Sequence, residues 1–229
     1  MFCFIRPSSE NVGVTIVKTC LIVGGGPVDA GQLAAELQAN PELVIAADRG
    51  GAYLWQAGRI PDVLVGDWDS LPREFLSRVA AGGSAIRRFP TAKDQTDLEL
   101  ALDAAVEGGC GELRVLGGLG GRLDHTLGNI GLLLKALRQG LSAYLIDPDH
   151  IVTIIDREIT LRAKPGWAVS LVPLTPVVSG VTTTGLAFPL NAEDLFVDAT
   201  RGLHNEFNAP EATVGLRDGL LTVVLFRED

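Results

Sequence analysis

The feature that most constrains this chain is an alternation of short apolar segments with longer amphipathic ones, running from Cys20 to Asp147. The short segments are rich in β-branched residues and are predicted as strands, whereas the longer ones have helical spacing. The predicted strands are Leu21–Val23, Leu43–Ala46, Val63–Val65, Ser84–Arg88, Leu113–Leu116 and Ala143–Ile146, and the predicted helices are Ala30–Ala39, Gly51–Gln56, Arg73–Ala80, Thr96–Val106 and His125–Gln139. This order predicts a mostly parallel sheet with helices on both faces.

The pattern changes after Pro148. The remaining segments are β-rich and are separated by turns that contain Gly or Pro, and no helical pattern is present. Apolar residues alternate on both sides of Asp218-Gly219, which predicts a hairpin there. We therefore predict a tail or first strand over 1–18, a Rossmann-like α/β domain over 19–148, and an all-β sandwich or barrel domain over 149–229.

Composition and charge exclude several classes of protein. The chain has 19 Lys and Arg against 28 Asp and Glu, a net charge of −9, which argues against sequence-independent nucleic-acid binding. No apolar run reaches the roughly 18 residues of a membrane-spanning helix, and residues 1–18 lack the pattern of a signal peptide. Because Cys3, Cys20 and Cys110 are far apart, they are predicted to be reduced and buried, as in a cytoplasmic protein.

Glycines, aspartates or both follow each of the first five predicted strands. Because the carboxyl ends of parallel strands meet at one edge of a sheet, these turns are predicted to form a single rim. The turns are Gly24–Pro27, Asp48–Gly51, Gly66–Ser70, Lys93–Asp97 and Gly117–His125. Glycine N–H groups can approach phosphate closely, and carboxylates are the oxygen ligands that Mg²⁺ prefers. The rim predicts a site for a magnesium-bound nucleotide, although it has neither a P-loop sequence nor the complete dinucleotide-binding pattern.

These side chains also have simpler interpretations. Thr96 with Glu99 has the form of a capping box, so Asp97 could only favour the start of a helix. Asp124 could cap the next helix, and His125 could be either a packing residue or a proton carrier. The concentration of mutually repelling carboxylates on one rim favours the functional interpretation.

Several sequence blocks together resemble the signature of the thiamine pyrophosphokinase family. The three main blocks are Gly66-Asp67-Trp68-Asp69-Ser70, Lys93-Asp94-Gln95-Thr96-Asp97 and Gly117–His125, and Asp48-Arg49-Gly50-Gly51-Ala52 is similar to a fourth. Gly185–Leu190 and Asn205-Glu206 extend the resemblance to the C-terminal region. Each block alone is modest evidence, but together, in the family's order, they are specific.

The resemblance implies a thiamine diphosphokinase, an enzyme that transfers the pyrophosphoryl group of MgATP to the hydroxyethyl group of thiamine and releases AMP. It implies Mg²⁺ as cofactor, ATP and thiamine as substrates, and a cytoplasmic homodimer whose thiamine site is shared between subunits. Neither nucleic acid nor a membrane is expected as a partner.

By motif position, the resemblance implies roles for individual residues. The catalytic and metal-binding carboxylates would be Asp67, Asp69 and Asp97. The ATP-binding residues would be Asp48, Arg49, Gly50, Lys93, Asp94, Thr96, Gly118, Arg122, Asp124 and His125. The thiamine-binding residues would be Gln95, Phe188, His204 and Asn205. Whether Asp69 or Asp97 accepts the proton of the attacking hydroxyl stays open.

Two residues of the implied thiamine site depart from the family's usual pattern. Phe188 stands where the family often has Trp or Tyr, and its ring can still stack on the cationic thiazolium, though more weakly than an indole. His204 stands where the family has Ser, and we expect it to be neutral or turned away from thiamine.

Two other functions are compatible with an acidic, glycine-rich rim. A metal-dependent nucleotide hydrolase would use the same carboxylates on water, but it would leave the region around Phe188 and Asn205 without a role. A non-catalytic nucleotide or thiamine sensor would have no need for so many repelling charges.

Overall fold

A computed structural model describes residues 5–7, 17–67, 71–90 and 93–228. The chain divides into two compact units, one of which spans Ile16–Pro148 and the other Asp149–Asp229 together with Met1–Thr15. The segment predicted as a tail or first strand contains β1 (Ile5–Pro7), which pairs within the second unit. The division between Pro148 and Asp149 follows the change in sequence pattern, and the separate roles given to the two domains stay predictions.

The unit Ile16–Pro148 alternates strands and helices throughout. In chain order they are β2 (Thr19–Val23), α1 (Ala30–Gln38), β3 (Leu43–Ala47), α2 (Gly50–Gln56), β4 (Val63–Gly66), α3 (Arg73–Ala81), β5 (Ala85–Arg88), α4 (Asp97–Glu107), β6 (Glu112–Leu116), α5 (Leu123–Arg138) and β7 (Ser142–Ile146). Every element predicted for this region is present, with ends displaced by at most two residues. The apolar runs form strands because both faces of a parallel sheet are covered, as the near-complete burial of β2 and β3 shows.

The six strands that the structure describes in this unit are all parallel, in the order β7-β6-β2-β3-β4-β5. The chain adds β3, β4 and β5 on one side of β2 and then returns to add β6 and β7 on the other. The order therefore reverses between β2 and β6. In open α/β sheets a ligand crevice forms at this point, outside the carboxyl ends of the strands.

The second unit is an antiparallel β-sandwich. Its further strands are β8 (His150–Ile155), β9 (Glu158–Arg162), β10 (Trp167–Pro173), β11 (Val177–Thr184), β12 (Glu193–Phe196), β13 (Asn205–Glu206), β14 (Glu211–Gly215) and β15 (Leu221–Arg227). One sheet has the order β1-β9-β14-β11-β12, and the other contains β13-β10-β15-β8. Alternate residues of both sheets, such as Leu161, Val181 and Val223, form one apolar core.

The predicted hairpin at Asp218-Gly219 is wrong. β14 pairs with β9 and β11 in one sheet, whereas β15 pairs with β8 and β10 in the other. The turn instead passes between the sheets, where Ser179 N–H donates to the Asp218 carbonyl at 2.8 Å. Each of the two segments does form a strand, as the alternation of apolar residues predicted. Two strands in facing sheets show the same alternation as two paired strands, so the pattern could not identify their partners.

The prediction of reduced cysteines is also wrong for two of the three. The structure joins Cys20, in β2, to Cys110, just before β6, in a disulfide with Cα atoms 6.0 Å apart. Their 90-residue separation hides the fact that β2 and β6 are neighbours. Both side chains are buried, as predicted, and Cys3 lies outside the described residues.

Within the described ranges, no helix is both long and apolar enough to cross a membrane.

Candidate active site

A crevice of about 650 Å³ opens at the reversal of strand order in the α/β unit. Its walls come from the turns that follow β2, β3 and β6 and from the first turns of α4 and α5. The lining residues are Gly24–Pro27, Ala47–Arg49, Tyr53, Thr96–Leu98, Gly117, Gly118, Gly120–Arg122, His125 and Asn129. Four of the five turns predicted from the sequence thus meet along one rim, and much of the surface they offer is backbone.

The two glycine-rich turns are in direct backbone contact. Gly24 N–H donates to the Leu116 carbonyl at 2.8 Å, and Gly26 N–H donates to the Gly117 carbonyl at 3.2 Å. Gly117 has φ +70°, and a Cβ there would lie 2.8 Å from the Gly24 carbonyl oxygen. A side chain at this position would push the turns apart, so glycine is needed for their close approach.

The turn after β3 is shaped by a second close approach. A Cβ on Gly50 would lie 1.8 Å from the Val23 carbonyl oxygen, so α2 can begin against the end of β2 only with glycine there. Asp48 takes φ +46°, and its N–H donates to the Val65 carbonyl at 2.8 Å. An aspartate tolerates this conformation better than most residues, and the conformation leaves Asp48 and Arg49 on the wall of the crevice.

Three carboxylates share the electrostatic environment of the rim. Burial is the largest cause that raises the pKa of Asp48, and the negative charges of Asp97 and Asp67 raise it further, against a hydrogen bond from the Arg49 backbone. These groups therefore lie close enough to repel one another when ionised. Clustered carboxylates are hard oxygen donors that fit Mg²⁺. Asp69, which the sequence places in the same set, lies outside the described residues.

Lys93 neutralises part of this charge. Its Nζ lies 2.7 Å from Asp97 Oδ1, with Lys93 only 15% and Asp97 30% exposed. The ammonium also lies 5.8 Å from the centre of the Phe89 ring. Lys93 thus holds Asp97 by a short, largely shielded ion pair at the start of α4.

Arg122 and Asp124 form a second, exposed pair beside the crevice. Arg122 Nε donates to Asp124 Oδ1 at 3.1 Å, and the guanidinium lowers the pKa of Asp124 to about 2. Arg122 lines the crevice, whereas Asp124 is not among the lining residues. The Asp124 carboxylate also accepts a hydrogen bond from the His125 N–H. Because both side chains are exposed, this pair can open at little cost.

The start of α4 combines a cap with an ion-pair network. Thr96 Oγ1 accepts from the Glu99 N–H at 3.2 Å, as predicted for a cap. The Glu99 carboxylate, however, pairs with Lys135 Nζ at 3.0 Å. Gln95 Nε2 donates to Asp103 at 3.2 Å, so the side chain predicted to bind thiamine points along α4.

The sequence analysis missed four lining residues, Ala47, Tyr53, Leu98 and Asn129, of which Asn129 and Tyr53 carry polar side chains. Asn129 Nδ2 donates to the Gly118 carbonyl at 2.8 Å and so fixes the glycine turn to α5. The signal was available, since Asn129 lies one helical turn after His125 and shares its face. Tyr53 lines the opposite wall from α2, and no local motif marks it.

The remaining predicted thiamine residues lie in the β-sandwich. Asn205 is buried and forms two bonds with the Phe188 backbone, accepting its N–H at 3.0 Å and donating to its carbonyl at 2.7 Å. Phe188 is 62% exposed. His204 Nε2 lies 2.9 Å from Glu228 Oε1, and its ring meets the edge of Phe226.

The structure therefore sorts the predicted site residues into four groups. Those that line the crevice are Asp48, Arg49, Thr96, Asp97, Gly118, Arg122 and His125. The lining does not include Asp67, which follows β4, or five residues of the lining turns and their neighbours, Gly50, Lys93, Asp94, Gln95 and Asp124. Phe188, His204 and Asn205 belong to the other unit, and Asp69 is not described.

The geometry suits a polyanion bound with a cation. Backbone N–H groups of the glycine turns and the N-termini of α4 and α5 favour phosphate, while the carboxylates favour a divalent ion between them.

Comparisons with family models and with known proteins all identify the same family. Residues 34–145 match the family model described as thiamin pyrophosphokinase, catalytic domain, and residues 154–221 match thiamin pyrophosphokinase, vitamin B1 binding domain. The chain is 32% identical over 210 residues to thiamine pyrophosphokinase of Bacillus subtilis, covering 91% of this chain and 98% of the relative.

Solved structures agree. The crystal structure of thiamine pyrophosphokinase from Bacillus subtilis is similar at a TM-score of 0.82 and 31% identity, covering 93% of this chain and 100% of that one. The crystal structure of thiamin pyrophosphokinase from Geobacillus thermodenitrificans is similar at a TM-score of 0.78 and 30% identity. The match covers 92% of this chain and 98% of that one.

Proposed function

The chain belongs to the thiamine pyrophosphokinase family, and from this premise we propose that its crevice binds MgATP for attack by thiamine. The enzyme transfers the pyrophosphoryl group of ATP to the hydroxyethyl group of thiamine, giving thiamine diphosphate and AMP. The observation that best supports the site is the meeting of two glycine turns with mutually repelling carboxylates where the strand order reverses. The alternatives, a nucleotide hydrolase and a sensor, find no support in the comparisons.

The carboxylates of the rim are proposed to hold Mg²⁺. Asp67, Asp69 and Asp97 would be its protein ligands, and the ion would neutralise charge on the transferred group. Lys93 pairs with Asp97, and it is proposed to turn to a phosphate oxygen when the nucleotide binds.

The nucleotide is proposed to lie along the glycine turns. Gly118, fixed by Asn129, would present backbone to the phosphates, and Arg122 would leave Asp124 to form a bidentate contact. Asp48, Arg49, Gly50, Asp94, Thr96 and His125 complete the proposed ATP site. In-line attack depends on positioning, which a rim of rigid backbone supplies.

Thiamine is proposed to stack on Phe188. The exposed ring offers a face to the cationic thiazolium, and Asn205 fixes the segment that carries it. Gln95 and His204 are proposed as further contacts, each after release from its present partner, Asp103 or Glu228.

The thiamine site is proposed to be shared between the subunits of a homodimer. Exposed apolar side chains on α5 support this, since Leu123 and Leu127 are 72% and 60% exposed on one face of that helix. A mixture of Asp97→Asn and Phe188→Ala chains tests it, assayed at a thiamine concentration far below the KM of the Phe188→Ala chain, where both chains alone turn over slowly. If each site is built from both subunits, every heterodimer contains one site with neither substitution, and activity returns. If each site is built from one chain, no intact site forms and activity does not return.

The cytoplasm, where ATP is abundant, is the proposed location. The Cys20–Cys110 disulfide is unusual for a reducing compartment, but its burial shields it from reductants. Alkylation of free thiols in intact cells, followed by mass spectrometry, is expected to leave both cysteines unlabelled. Complete labelling of both would contradict the disulfide.

One assay tests the reaction. The chain is incubated with MgATP with and without thiamine, and the nucleotides are resolved. AMP and thiamine diphosphate are expected in equal amounts only with thiamine. AMP or ADP formed equally without thiamine would overturn the proposal, and so would the absence of turnover.

A further inference from the structure

A shared ammonium group joins α5 to α4 beside the turn that carries Gln95. Glu99 and Asp103 lie one helical turn apart on α4, so their side chains share one face of the helix. Lys135 Nζ, from α5, lies 3.0 Å from Glu99 Oε1 and 2.6 Å from Asp103 Oδ1. One cation thus pairs with two carboxylates that would otherwise repel each other.

Gln95 is bound to the same two carboxylates. Its Nε2 donates to Asp103 Oδ2 at 3.2 Å, while Lys135 pairs with Oδ1 of that group. The hydrogen bond from Lys135 is the largest cause that lowers the pKa of Glu99, and one from Gln95 lowers it further, against the effect of burial. The ammonium group and the amide are therefore two donors that share one pair of acceptors.

The start of α4 does not by itself explain where the Glu99 carboxylate lies. In a capping box this carboxylate would return to the N–H of the cap residue, Thr96. The other half of the box is present, since Thr96 Oγ1 accepts from the Glu99 N–H at 3.2 Å. The carboxylate, however, pairs with Lys135, so its position follows from the contact between the two helices.

This network is only partly open to solvent. The side chains of Lys135, Glu99 and Asp103 are 28%, 27% and 32% exposed. Charges at such positions are screened less than charges at the open surface, and two carboxylates with one ammonium group keep a negative charge that attracts a neutral donor. Gln95 is that donor. The strength with which α4 holds the amide therefore depends on the charge that Lys135 neutralises.

We propose that Lys135 is a positioning residue for the reaction with thiamine and that it acts through Gln95. With Lys135 in place, the Gln95 amide leaves Asp103 for thiamine at little cost. Without the ammonium group, Glu99 and Asp103 would hold the amide along α4 more strongly, because a hydrogen bond to an unpaired charge is stronger. The role of Lys135 rests on the proposed function of Gln95 as a thiamine contact.

Steady-state kinetics of Lys135→Met test the proposal. Methionine keeps the unbranched shape and the helix propensity of lysine but removes its charge. The KM for thiamine is expected to rise about 3- to 10-fold, while kcat and the KM for ATP stay within about twofold of wild type. Lys135→Arg keeps a cation and should restore most of the affinity. Arg138→Met, which removes an exposed cation three residues later in α5, is the matched control.

A double-mutant cycle separates positioning of Gln95 from a general effect on α4. In a Gln95→Ala background, adding Lys135→Met should change the KM for thiamine by less than about 1.5-fold, because no amide remains to be held. A loss of helix stability alone would act equally in both backgrounds. An unchanged KM for thiamine in Lys135→Met, or effects of the two substitutions that simply add, would overturn the proposal.

The state of the Gln95 amide can also be measured without turnover. Its side-chain ¹⁵N–¹H resonances, assigned by their absence from Gln95→Ala, should shift in Lys135→Met and stay in place in Arg138→Met. An unshifted amide in Lys135→Met would remove Lys135 from this role, whatever happened to the KM. If wild type released no thiamine-dependent AMP, the proposed reaction would be overturned instead, so the two failures are distinct.

Discussion

The two units place their candidate functional residues in different ways. In the α/β unit the residues follow strand ends, and the contacts that shape the crevice are between backbone groups of Gly24, Gly50 and Gly117. In the β-sandwich Phe188 and His204 lie on irregular segments, and one buried side chain, Asn205 of the short strand β13, holds the exposed Phe188. A parallel sheet therefore fixes the position of a site through topology, whereas the sandwich depends on individual side-chain bonds.

The first and largest test of this contrast concerns the carboxylates of the α/β rim. Asp97→Asn keeps the shape of the side chain at the start of α4 but removes the charge that Lys93 and the proposed Mg²⁺ share. We expect kcat to fall by roughly a hundredfold or more with the fold intact, as measured by thiamine-dependent AMP release. Asp198→Asn, an exposed carboxylate of the sandwich, is the matched control. Wild-type turnover in Asp97→Asn would remove Asp97 from the site.

The second test concerns the backbone contacts. Gly50→Ala would place a methyl 1.8 Å from the Val23 carbonyl oxygen, and we expect a loss of about 3 kcal/mol in the free energy of unfolding. Gly128→Ala, on exposed α5 with open space around it, should instead be neutral or stabilising by up to about 1 kcal/mol. Thermal denaturation of both variants measures the difference. Equal stability would mean that α2 does not depend on its close approach to β2.

The same contrast explains how far the sequence could predict the molecule. Strands, helices and the rim of the α/β unit follow from hydrophobic period and strand-end position, which are local. The pairing partners of β14 and β15, and the meeting of Cys20 with Cys110, depend on residues far apart in sequence, so local patterns could not reveal them. Gln95 is a further example. The sequence predicted that it lies in the turn before α4, but not that its side chain donates to Asp103.

A third test addresses the side-chain bonds of the sandwich. Phe188→Ala should raise the KM for thiamine by about 3- to 30-fold and leave the KM for ATP unchanged, because a cation–π contact contributes roughly 0.5–2 kcal/mol. Phe188→Trp should lower the KM for thiamine.

Asn205 is a positioning residue in this scheme, so Asn205→Ala should reproduce the effect on thiamine while the Phe188 ring is still present. Phe196→Ala, another exposed ring of the sandwich, is the control. An unchanged KM for thiamine in Asn205→Ala would show that the bonds to Phe188 have no functional role.

The smallest expected effect concerns Asp48 of the α/β rim. Removing its charge should increase stability and weaken MgATP binding, so the two effects have opposite signs and separate a functional role from a structural one. Burial and the charges of Asp97 and Asp67 raise the pKa of Asp48 above its usual 3.8 in the folded chain. A carboxyl with a raised folded pKa stabilises the fold at low pH and loses that contribution as the pH rises through the folded pKa. At neutral pH the ionised Asp48 therefore destabilises the unit.

Asp48→Asn should accordingly raise the free energy of unfolding at neutral pH, by less than about 1 kcal/mol because the group is partly exposed to solvent. Asparagine tolerates the left-handed backbone of this position, so the turn is preserved. The gain should vanish below pH 3.8, where both states of the wild type are protonated, while MgATP binding at neutral pH becomes weaker. A loss of stability at neutral pH would mean that Asp48 holds the turn, and that the α/β rim depends on side-chain bonds as the sandwich does.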